Sequence, residues 1–465
     1  MADNELESTI LVIVGITGNL AKQRLLPALY HLIKDHLLPE DTEIVGTSRR
    51  DVSVEELLKD VELCVLESDK VCDPQALAEF RRKLRMVRFD PAQAADYDSL
   101  LKTLEDIETS HKQCMNRLFY LSIPPQVYEP VIKNFGLHHL NQGCPHRQGV
   151  TRLLVEKPFG YDLISAQELI RSTNHYFSEN QIFRIDHYLA KETVQNILVF
   201  RAHNPIFNSL WSSQYISKIT IDLREPTGIE SRADFYDNVG ALRDVVQNHL
   251  LQLLALVTME LPKDLDDNVS LHKAKQALLA NIKPVDMKRA KVVRAQYNGY
   301  RQEVNNPRSN TETFVSLTFD INNKRWKGVP VRLTAGKALK DDRSTIQLTF
   351  GPQPGSTTAN TLTFRVQPDE GIDIELTAKR PGFEDKTEAV RMDFSYQNNF
   401  VEPGHPDAYE RVLVDAVRGD HSLFATSEEV LATWRILQPV LNAWAHNSDD
   451  LKIYEIGSDG PTGRS

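Results

Sequence analysis

Length, composition and charge bound the class of protein before any motif is considered. The chain has 465 residues, of which 41% are hydrophobic and 25% are charged, a composition typical of globular domains and unlike that of disordered or fibrous chains. Lys and Arg number 54 against 64 Asp and Glu, so the formal net charge is −10 and the isoelectric point is near 5.8. We therefore expect no nucleic-acid partner. No apolar run approaches the roughly 18 residues that a membrane-spanning helix requires, so we expect no membrane partner.

The N-terminal segment and the cysteines indicate the compartment. The first residues, MADNELEST, are acidic and polar and resemble neither a secretory nor a mitochondrial signal, so we expect a cytoplasmic protein. The four cysteines, Cys64, Cys72, Cys114 and Cys144, form no C-x-x-C pair and match no zinc spacing. We interpret them as free thiols in a reducing compartment and expect no metal.

Short apolar strands alternate with helical segments in the first part of the chain. Apolar runs of the kind that form buried parallel strands occur at 10–14, 43–47, 86–89, 117–123 and 151–156. Helical patterns follow at 20–36, 54–66, 127–140 and 163–177. This alternation predicts an N-terminal α/β domain, over residues 1–183, with a Rossmann-type doubly wound parallel sheet.

The pattern changes after about residue 185. Long helical stretches are predicted near 187–201, 235–259 and 264–282, and helices near 406–418 and 427–445 close the chain. Between them, alternating strands occur near 219–223, 329–333, 346–350 and 372–376 without intervening helices. We predict an α+β C-terminal domain, residues 184–465, with a large mainly antiparallel sheet.

The first strand leads into a glycine-containing turn, G-I-T-G-N-L-A, and then into a helix. Gly15 has no Cβ and can make the tight turn, and Gly18 allows a pyrophosphate to approach the backbone. The free N–H groups at the start of the helix attract phosphate. We predict a dinucleotide-binding loop. The alternative is a plain tight connection, since the spacing is G-x-x-G-x-x-A and not G-x-G-x-x-G.

The end of the second strand indicates which dinucleotide is bound. An NAD site commonly has Asp or Glu there, to bind the ribose 2′-hydroxyl. Here the strand leads into Ser48, Arg49 and Arg50, and a guanidinium is suited to a 2′-phosphate. The segment favours NADP over NAD. The alternative is a solvated pair of surface arginines.

Lys157, in V-E-K-P-F-G, ends the last predicted strand of the first domain. Strand carboxyl ends line the ligand crevice of a doubly wound sheet. The following proline holds Lys157 in an extended conformation, and the Lys157–Pro158 bond is a candidate for the cis form. Alternatively, Lys157 is an ordinary surface lysine before a turn.

The segment R-I-D-H-Y-L-A-K-E (184–192) concentrates polar side chains. On the predicted helix, His187 and Lys191 are i,i+4 neighbours on one face. Tyr188 flanks them and Asp186 is at the expected N-cap. This set favours a phosphomonoester site at a helix N-terminus. The alternative is an amphipathic helix with solvated polar residues.

His249 lies beside the apolar stripe of the predicted helix that contains L-R-D-V-V-Q-N-H-L-L-Q. A single histidine in such a place is more often a core residue than a functional one. Asp244 is five residues earlier, which is about 140° around an α-helix. We therefore expect that a carboxylate partner for His249 comes from elsewhere in the chain.

The order and spacing of these segments resemble the glucose-6-phosphate dehydrogenase family. The matching segments are GITGNLAK, GTSRR, VEKPFG, RIDHYLAKE, LRDVVQNHLLQ, AGKAL (335–339) and PDAYERVL (406–413), and they span nearly the whole chain. The resemblance implies oxidation of D-glucose 6-phosphate to 6-phosphogluconolactone with reduction of NADP⁺. It implies that His249 is the general base and that Asp186 orients and stabilises its imidazole.

The resemblance also implies the binding residues. For the substrate they are Lys157, His187, Tyr188, Lys191, Glu225, Asp244, Lys337, Arg343 and Arg24. For NADP they are Gly15, Thr17, Gly18, Asn19, Leu20, Arg49, Tyr128 and Lys157.

Several positions depart from the family pattern, among them Asp341 and Asp342, which follow AGKAL where relatives often carry a cation. Asn19 stands where the family usually has Asp, Arg24 where it often has Lys, and Ala190 where it usually has Gly. Asn caps helices well, and Arg keeps the charge but changes the donor geometry, which alters the expected substrate affinity. A homodimer or homotetramer is expected from the resemblance. The alternative function is a catalytically silent NADP-binding sensor or scaffold on the same fold.

Overall fold

The computed structural model describes residues 7–69, 72–144, 149–287, 291–352, 358–400, 406–447 and 449–461. The chain divides into two compact units. The first consists of Met1–Gly160, Ile164–Ala190 and His405–Ser427, and the second of Tyr161–Leu163, Lys191–Gly404 and Glu428–Ser465. The first unit thus extends past residue 183, the predicted end of the N-terminal domain, and includes a segment from near the C-terminus.

The strands among the described residues are numbered in chain order. They are β1 Thr9–Val14, β2 Glu43–Ser48, β3 Leu84–Arg88, β4 Asn116–Leu121, β5 Thr151–Val155, β6 Ile182–Ile185, β7 Ile216–Arg224, β8 Lys291–Tyr297, β9 Phe314–Asp320, β10 Pro330–Gly336, β11 Arg343–Phe350, β12 Thr361–Gln367, β13 Gly371–Lys379, β14 Thr387–Ser395, β15 Phe424–Ala425 and β16 Leu451–Tyr454.

The α-helices are numbered in the same way. They are α1 Leu26–Lys34, α2 Val54–Asp69, α3 Pro74–Lys83, α4 Ala94–His111, α5 Tyr128–Leu137, α6 Leu163–Tyr176, α7 Glu192–His203, α8 Pro205–Asn208, α9 Ala233–Tyr236, α10 Leu251–Thr258, α11 Asn268–Asn281, α12 Tyr300–Glu303, α13 Tyr396–Asn399, α14 Ala408–Arg418 and α15 Ser427–His446. Two segments, Ala21–Leu25 and Leu242–Leu250, are π-helical.

The sheet of the first unit has the order β15-β6-β5-β4-β1-β2-β3. All its pairs are parallel except β15 with β6. β1, Thr9–Val14, is buried along its whole length, as expected for a strand with helices on both faces. The predicted doubly wound parallel sheet is confirmed. The sequence did not indicate β6 or β15, because β15 has two residues and β6 has four.

The sheet of the second unit has nine strands in the order β14-β13-β12-β11-β7-β10-β9-β8-β16. Among the described strands of this sheet, only β10 with β7 and β16 with β8 pair in parallel, so the predicted mainly antiparallel sheet is confirmed. Ile219, Ile221 and Leu223 of β7 are buried, and Lys218 and Asp222, which alternate with them along the strand, are half-buried. One face of the sheet therefore packs on the core of this unit, and the other carries polar side chains.

Two predicted helices are wrong in their bounds or type. The segment from Asp186 to Ala190 is a turn, and α7 begins at Glu192. The turn after β6 is closed by a hydrogen bond from the Leu189 N–H to the Asp186 carbonyl. The predicted helix over 235–259 is divided into α9, the π-helical segment Leu242–Leu250 and α10.

The interpretation of all cysteines as free thiols is wrong for one pair. Cys114 and Cys144 form a disulfide with a Cα–Cα distance of 5.6 Å. Cys114 precedes β4, and Cys144 lies on the segment that leads towards the neighbouring strand β5. Because β4 and β5 are parallel neighbours, the segments that lead into them lie side by side. The 30-residue spacing of the two cysteines does not indicate this proximity. Cys72 is a free thiol, and the side chain of Cys64 lies outside the described residues. No described helix has the length and apolarity needed to cross a membrane.

Candidate active site

The glycine loop lies at the carboxyl end of β1. Gly15 has φ +86°, and a Cβ there would lie 2.6 Å from the Ser122 carbonyl oxygen, so only glycine fits this turn. The N–H groups of Gly15 and Ile16 donate to the Thr47 carbonyl at 3.2 and 3.1 Å. The loop continues through Thr17, Gly18, Asn19 and Leu20 into the π-helical segment. Its backbone therefore has the shape that a pyrophosphate site needs.

Arg49 and Tyr128 follow the neighbouring strands at the same edge of the sheet. Val14 of β1 pairs with Thr47 of β2 and with Leu121 of β4, so all three strands end together. Arg49 is exposed just beyond β2. Tyr128 is buried, and its hydroxyl donates to the Leu121 carbonyl at 3.5 Å. Arg49, the residue predicted to bind the 2′-phosphate, therefore lies at the same edge of the sheet as the glycine loop.

Lys157 follows β5, and its bond to Pro158 is cis, as the sequence suggested. Its neighbour Glu156 was not predicted to matter. Removal from solvent raises the pKa of Glu156 to about 7, although the Tyr120 hydroxyl, which donates to it at 2.5 Å, and the Lys157 charge act in the opposite direction. The Asp186 carboxylate adds to the increase. The carboxyl end of β5 therefore combines a cation with an easily protonated carboxylate.

The candidate phosphate segment leaves β6 as a turn and not as a helix. Asp186 is 3% exposed, and its Oδ1 accepts the backbone N–H of Tyr188 at 3.1 Å. His187 is half-buried and its ring stacks on Tyr409, with 6.2 Å between centroids. The predicted i,i+4 helical pairing of His187 with Lys191 is therefore wrong. Arg24 is exposed in the segment Ala21–Leu25 of the same unit.

Lys191 belongs to the second unit and has an extended backbone before α7. Its ammonium donates to the Gln367 side-chain oxygen at 2.6 Å. Gln367 was not predicted, because 176 residues separate it from Lys191 and no local pattern marks it. The contact holds the lysine in one direction at the end of β12.

Glu225 and Lys337 form an ion pair. Lys337 follows β10 and Glu225 follows β7, and these two strands are parallel neighbours, so their carboxyl ends are adjacent. The ammonium also lies 5.7 Å from the centroid of the Tyr236 ring, within the range of a cation–π contact. The two predicted sugar-binding residues are therefore brought together. Arg343, at the start of β11, is exposed and lies 3.7 Å from Asp341.

Asp244 and His249 share the π-helical segment Leu242–Leu250. Both side chains are buried, and His249 is 2% exposed. The predicted angle of about 140° between them assumed an α-helix and is wrong here. In a π-helix the hydrogen bonds run from residue i to i+5, so residues five apart lie on the same side of the helix, as residues four apart do in an α-helix. Asp244 also lies 3.4 Å from the Arg232 guanidinium.

Buried polar contacts hold this π-helical segment at both ends. Glu312 accepts the Leu242 N–H at 2.9 Å, at the start of the segment. Gln247 donates to Thr433 at 2.9 Å, and Gln252, just beyond the end, donates to Glu429 at 3.1 Å. These partners were missed, because contacts across 70 or more residues leave no trace in local periodicity.

The first unit combines a parallel sheet, a glycine turn after β1 and Arg49 just beyond β2. These features define the class as NADP-dependent Rossmann-type oxidoreductases. Comparison with known families gives a finer result. Residues 12–196 match the model described as glucose-6-phosphate dehydrogenase, NAD binding domain, and residues 198–465 match glucose-6-phosphate dehydrogenase, C-terminal domain. The chain belongs to the glucose-6-phosphate dehydrogenase family.

Individual relatives agree over nearly the full length. The chain is 40% identical to glucose-6-phosphate 1-dehydrogenase of Chlamydia pneumoniae, covering 97% of this chain and 93% of that protein. It is 37% identical to the cytoplasmic glucose-6-phosphate 1-dehydrogenase 5 of Arabidopsis thaliana, covering 98% and 90%. A solved structure of glucose-6-phosphate dehydrogenase in complex with its substrate glucose-6-phosphate superposes with a TM-score of 0.91 at 33% identity, covering 100% of this chain and 97% of that one.

Proposed function

We propose that this chain oxidises D-glucose 6-phosphate to 6-phosphogluconolactone and transfers the hydride to NADP⁺, the first step of the oxidative pentose phosphate pathway. The observation that carries the proposal is similarity to glucose-6-phosphate dehydrogenases over both units of the chain. His249 and Asp186 are both present. A silent NADP-binding sensor would need neither of them, and nothing favours that alternative.

The base in the proposed reaction is His249. Its neutral imidazole accepts the proton of the hydroxyl on carbon 1 while that carbon loses its hydrogen as a hydride, so that the C–O bond becomes the lactone carbonyl. Asp186 fixes the imidazole tautomer and stabilises the imidazolium that forms. The buried position of His249 supports this role, because low solvent access strengthens the interaction of an imidazolium with a carboxylate.

Cations from separate segments bind the 6-phosphate and the sugar in this proposal. Lys191, directed by Gln367, bonds the phosphate together with His187 and Tyr188. Glu225 and Asp244 accept hydrogen bonds from sugar hydroxyls, and Lys337, which pairs with Glu225, adds a positive charge beside them. Arg24 and Arg343, which are both exposed, contribute further positive charge for binding the anionic substrate.

Residues at the carboxyl edge of the parallel sheet hold the cofactor. The backbone from Gly15 to Leu20 binds the pyrophosphate, and Arg49 binds the 2′-phosphate. Lys157 lies between cofactor and substrate, and Tyr128 packs beside the cofactor. NADP⁺ supplies the hydride acceptor when it is bound. We further propose a cytoplasmic homodimer or homotetramer, in line with the cytoplasmic relative from Arabidopsis.

The test is the absorbance of NADPH formed from NADP⁺ and glucose 6-phosphate, in the wild type and in two histidine variants. His249→Asn should lower kcat by about 10²–10⁴-fold with NADP⁺ binding retained. His203→Asn, at the exposed end of α7, should match the wild type. NADP⁺ binding by the wild type without NADPH formation would support the scaffold alternative. A changed KM with a normal kcat in His249→Asn would make His249 a binding residue only.

A further inference from the structure

Tyr236, at the end of α9, is completely buried in the second unit. It lies in a cluster of buried side chains that includes Tyr297, Tyr300 and Tyr454. The hydroxyls of these three neighbours donate to protein acceptors at 2.5–2.9 Å. The Tyr236 hydroxyl is buried as well, but it has no hydrogen-bond partner among the described residues. A buried donor without a partner is costly, so the contribution of Tyr236 must come from its ring.

The side chain of Lys337 lies beside this ring. Its ammonium is 5.7 Å from the centroid of the Tyr236 ring and also forms an ion pair with Glu225. Lys337 is only 7% exposed, and a cation–π contact is strongest where the cation has lost its solvent. The carboxylate and the aromatic face both attract the ammonium, so the lysine side chain has one favoured direction.

Hydrogen bonds on both sides fix the backbone of Lys337. Its N–H donates to the Thr313 carbonyl at 3.0 Å, and its carbonyl accepts the Tyr454 hydroxyl at 2.6 Å. The flexible four-carbon stem is therefore the part of Lys337 that remains to be ordered. If a ligand has to order such a side chain when it binds, its affinity falls about 2–10-fold.

The residue after Tyr236 anchors the end of α9. The Asp237 carboxylate accepts hydrogen bonds from the Tyr300 hydroxyl at 2.9 Å, from the Asn306 amide at 2.8 Å and from the Ser309 hydroxyl at 2.5 Å. These donors are 63 to 72 residues further along the chain. The position of the Tyr236 ring is therefore set by tertiary contacts and not by the short helix alone.

The Tyr236 ring is not suited to proton transfer. Loss of solvent raises the pKa of its hydroxyl well above the ordinary value, and the charges of Asp244 and Glu312 add to the increase. The side chain stays neutral at the pH of any dehydrogenase assay, so we do not assign it a role as acid or base. What it offers the site is an aromatic face at a fixed place.

We propose, on the basis of the proposed function, that Tyr236 is a positioning residue for the substrate. Its ring holds the Lys337 ammonium beside Glu225, so that the anionic substrate meets a lysine whose side chain is already ordered. The substrate then binds without the loss of affinity that ordering this side chain would cause. Tyr236 acts only through Lys337 and touches neither the sugar nor the cofactor in this role.

The first test is steady-state NADPH formation by the full-length protein with varied glucose 6-phosphate. Tyr236→Phe keeps the ring and should keep the wild-type KM. Tyr236→Leu should raise KM about 3–10-fold and change kcat less than about twofold, because positioning acts on binding. Tyr297→Leu removes another buried ring of the same cluster and should keep the wild-type KM. A raised KM in Tyr236→Phe would overturn the proposal, since the hydroxyl would then be the working group.

A double-mutant cycle separates positioning from a merely structural role. Lys337→Ala should raise KM, and Tyr236→Leu should raise it no further in that background. If Tyr236→Leu multiplies KM by the same factor with and without Lys337, the proposal is overturned. A wild-type KM in Lys337→Ala would also overturn it, while NADPH formation by the wild type would leave the proposed function intact. A wild type that forms no NADPH would refute the proposed function, and this positioning role with it.

A fluorinated phenylalanine at position 236 tests the aromatic face directly. Fluorine weakens the negative face of the ring and changes the shape of the side chain little. KM for glucose 6-phosphate should rise about twofold or more relative to Tyr236→Phe. A KM equal to that of Tyr236→Phe would contradict the proposal, because packing alone would then account for the ring.

Discussion

The ammonium of Lys275 lies 2.8 Å from the carboxylate of Glu429, and both side chains are completely buried in the second unit. The other oxygen of Glu429 lies 2.8 Å from the His272 ring. Burial alone would raise the pKa of Glu429, but the Lys275 charge and the His272 hydrogen bond outweigh it and lower the pKa to about 2. Gln252 also donates to Glu429, so this ion pair lies directly beneath the helix that continues from His249.

Glu429→Gln should destabilise the protein by about 3–5 kcal/mol, because it leaves the Lys275 charge buried without a partner. Glu429→Leu/Lys275→Met removes both charges and should cost much less. Urea unfolding at neutral pH measures the difference. The carboxylate contribution is present above pH 4.5, its unfolded pKa, and is lost as the pH falls towards 2. A Glu429→Gln variant as stable as the wild type would contradict this account.

Lys191→Ala should weaken glucose 6-phosphate binding by about 1.5–3 kcal/mol, the value of a charged hydrogen bond. The effect should appear in KM or Kd for glucose 6-phosphate and be absent with unphosphorylated glucose. Lys324→Ala, which removes an exposed lysine of the same unit, serves as the control. An equal loss with both sugars would refute the phosphate role.

Arg49→Ala should raise KM for NADP⁺ more than KM for NAD⁺, because only NADP⁺ carries the 2′-phosphate. Its neighbour Arg50 is equally exposed, so Arg50→Ala is a matched control for general charge. If both arginine variants lose NADP⁺ to the same extent, the 2′-phosphate site is shared. If Arg49→Ala affects both cofactors alike, the site lies elsewhere.

Glu156→Gln should flatten the pH dependence of stability between pH 4.5 and about 7. The folded pKa is raised to about 7, so in this window the folded protein holds a proton that the unfolded chain has lost. Stability from this group is therefore complete below pH 4.5 and falls as the pH rises through 7. Melting temperatures across this range provide the measurement, and Glu129→Gln, at an exposed position, should keep the wild-type slope.

The sequence determined the class of fold and the family because those signals are local. Hydrophobic periodicity gave both sheets, and the glycine spacing gave the dinucleotide loop at Gly15 and Gly18. Seven short segments in a fixed order indicated the glucose-6-phosphate dehydrogenase family before any coordinates. Arg49 and Lys157 were predicted as binding residues because each lies within two residues of a strand end, and strand ends line the crevice of such sheets.

Only the tertiary structure decided how the chain bends between and around these segments. The turn at Asp186 and the π-helix at His249 replace predicted α-helix, because long-range partners such as Glu312 override local propensity. The Cys114–Cys144 disulfide depends on strand adjacency, and the Lys275–Glu429 pair joins residues that are 154 apart in number. Periodicity records which face of an element is apolar, whereas partners distant in sequence are chosen by packing.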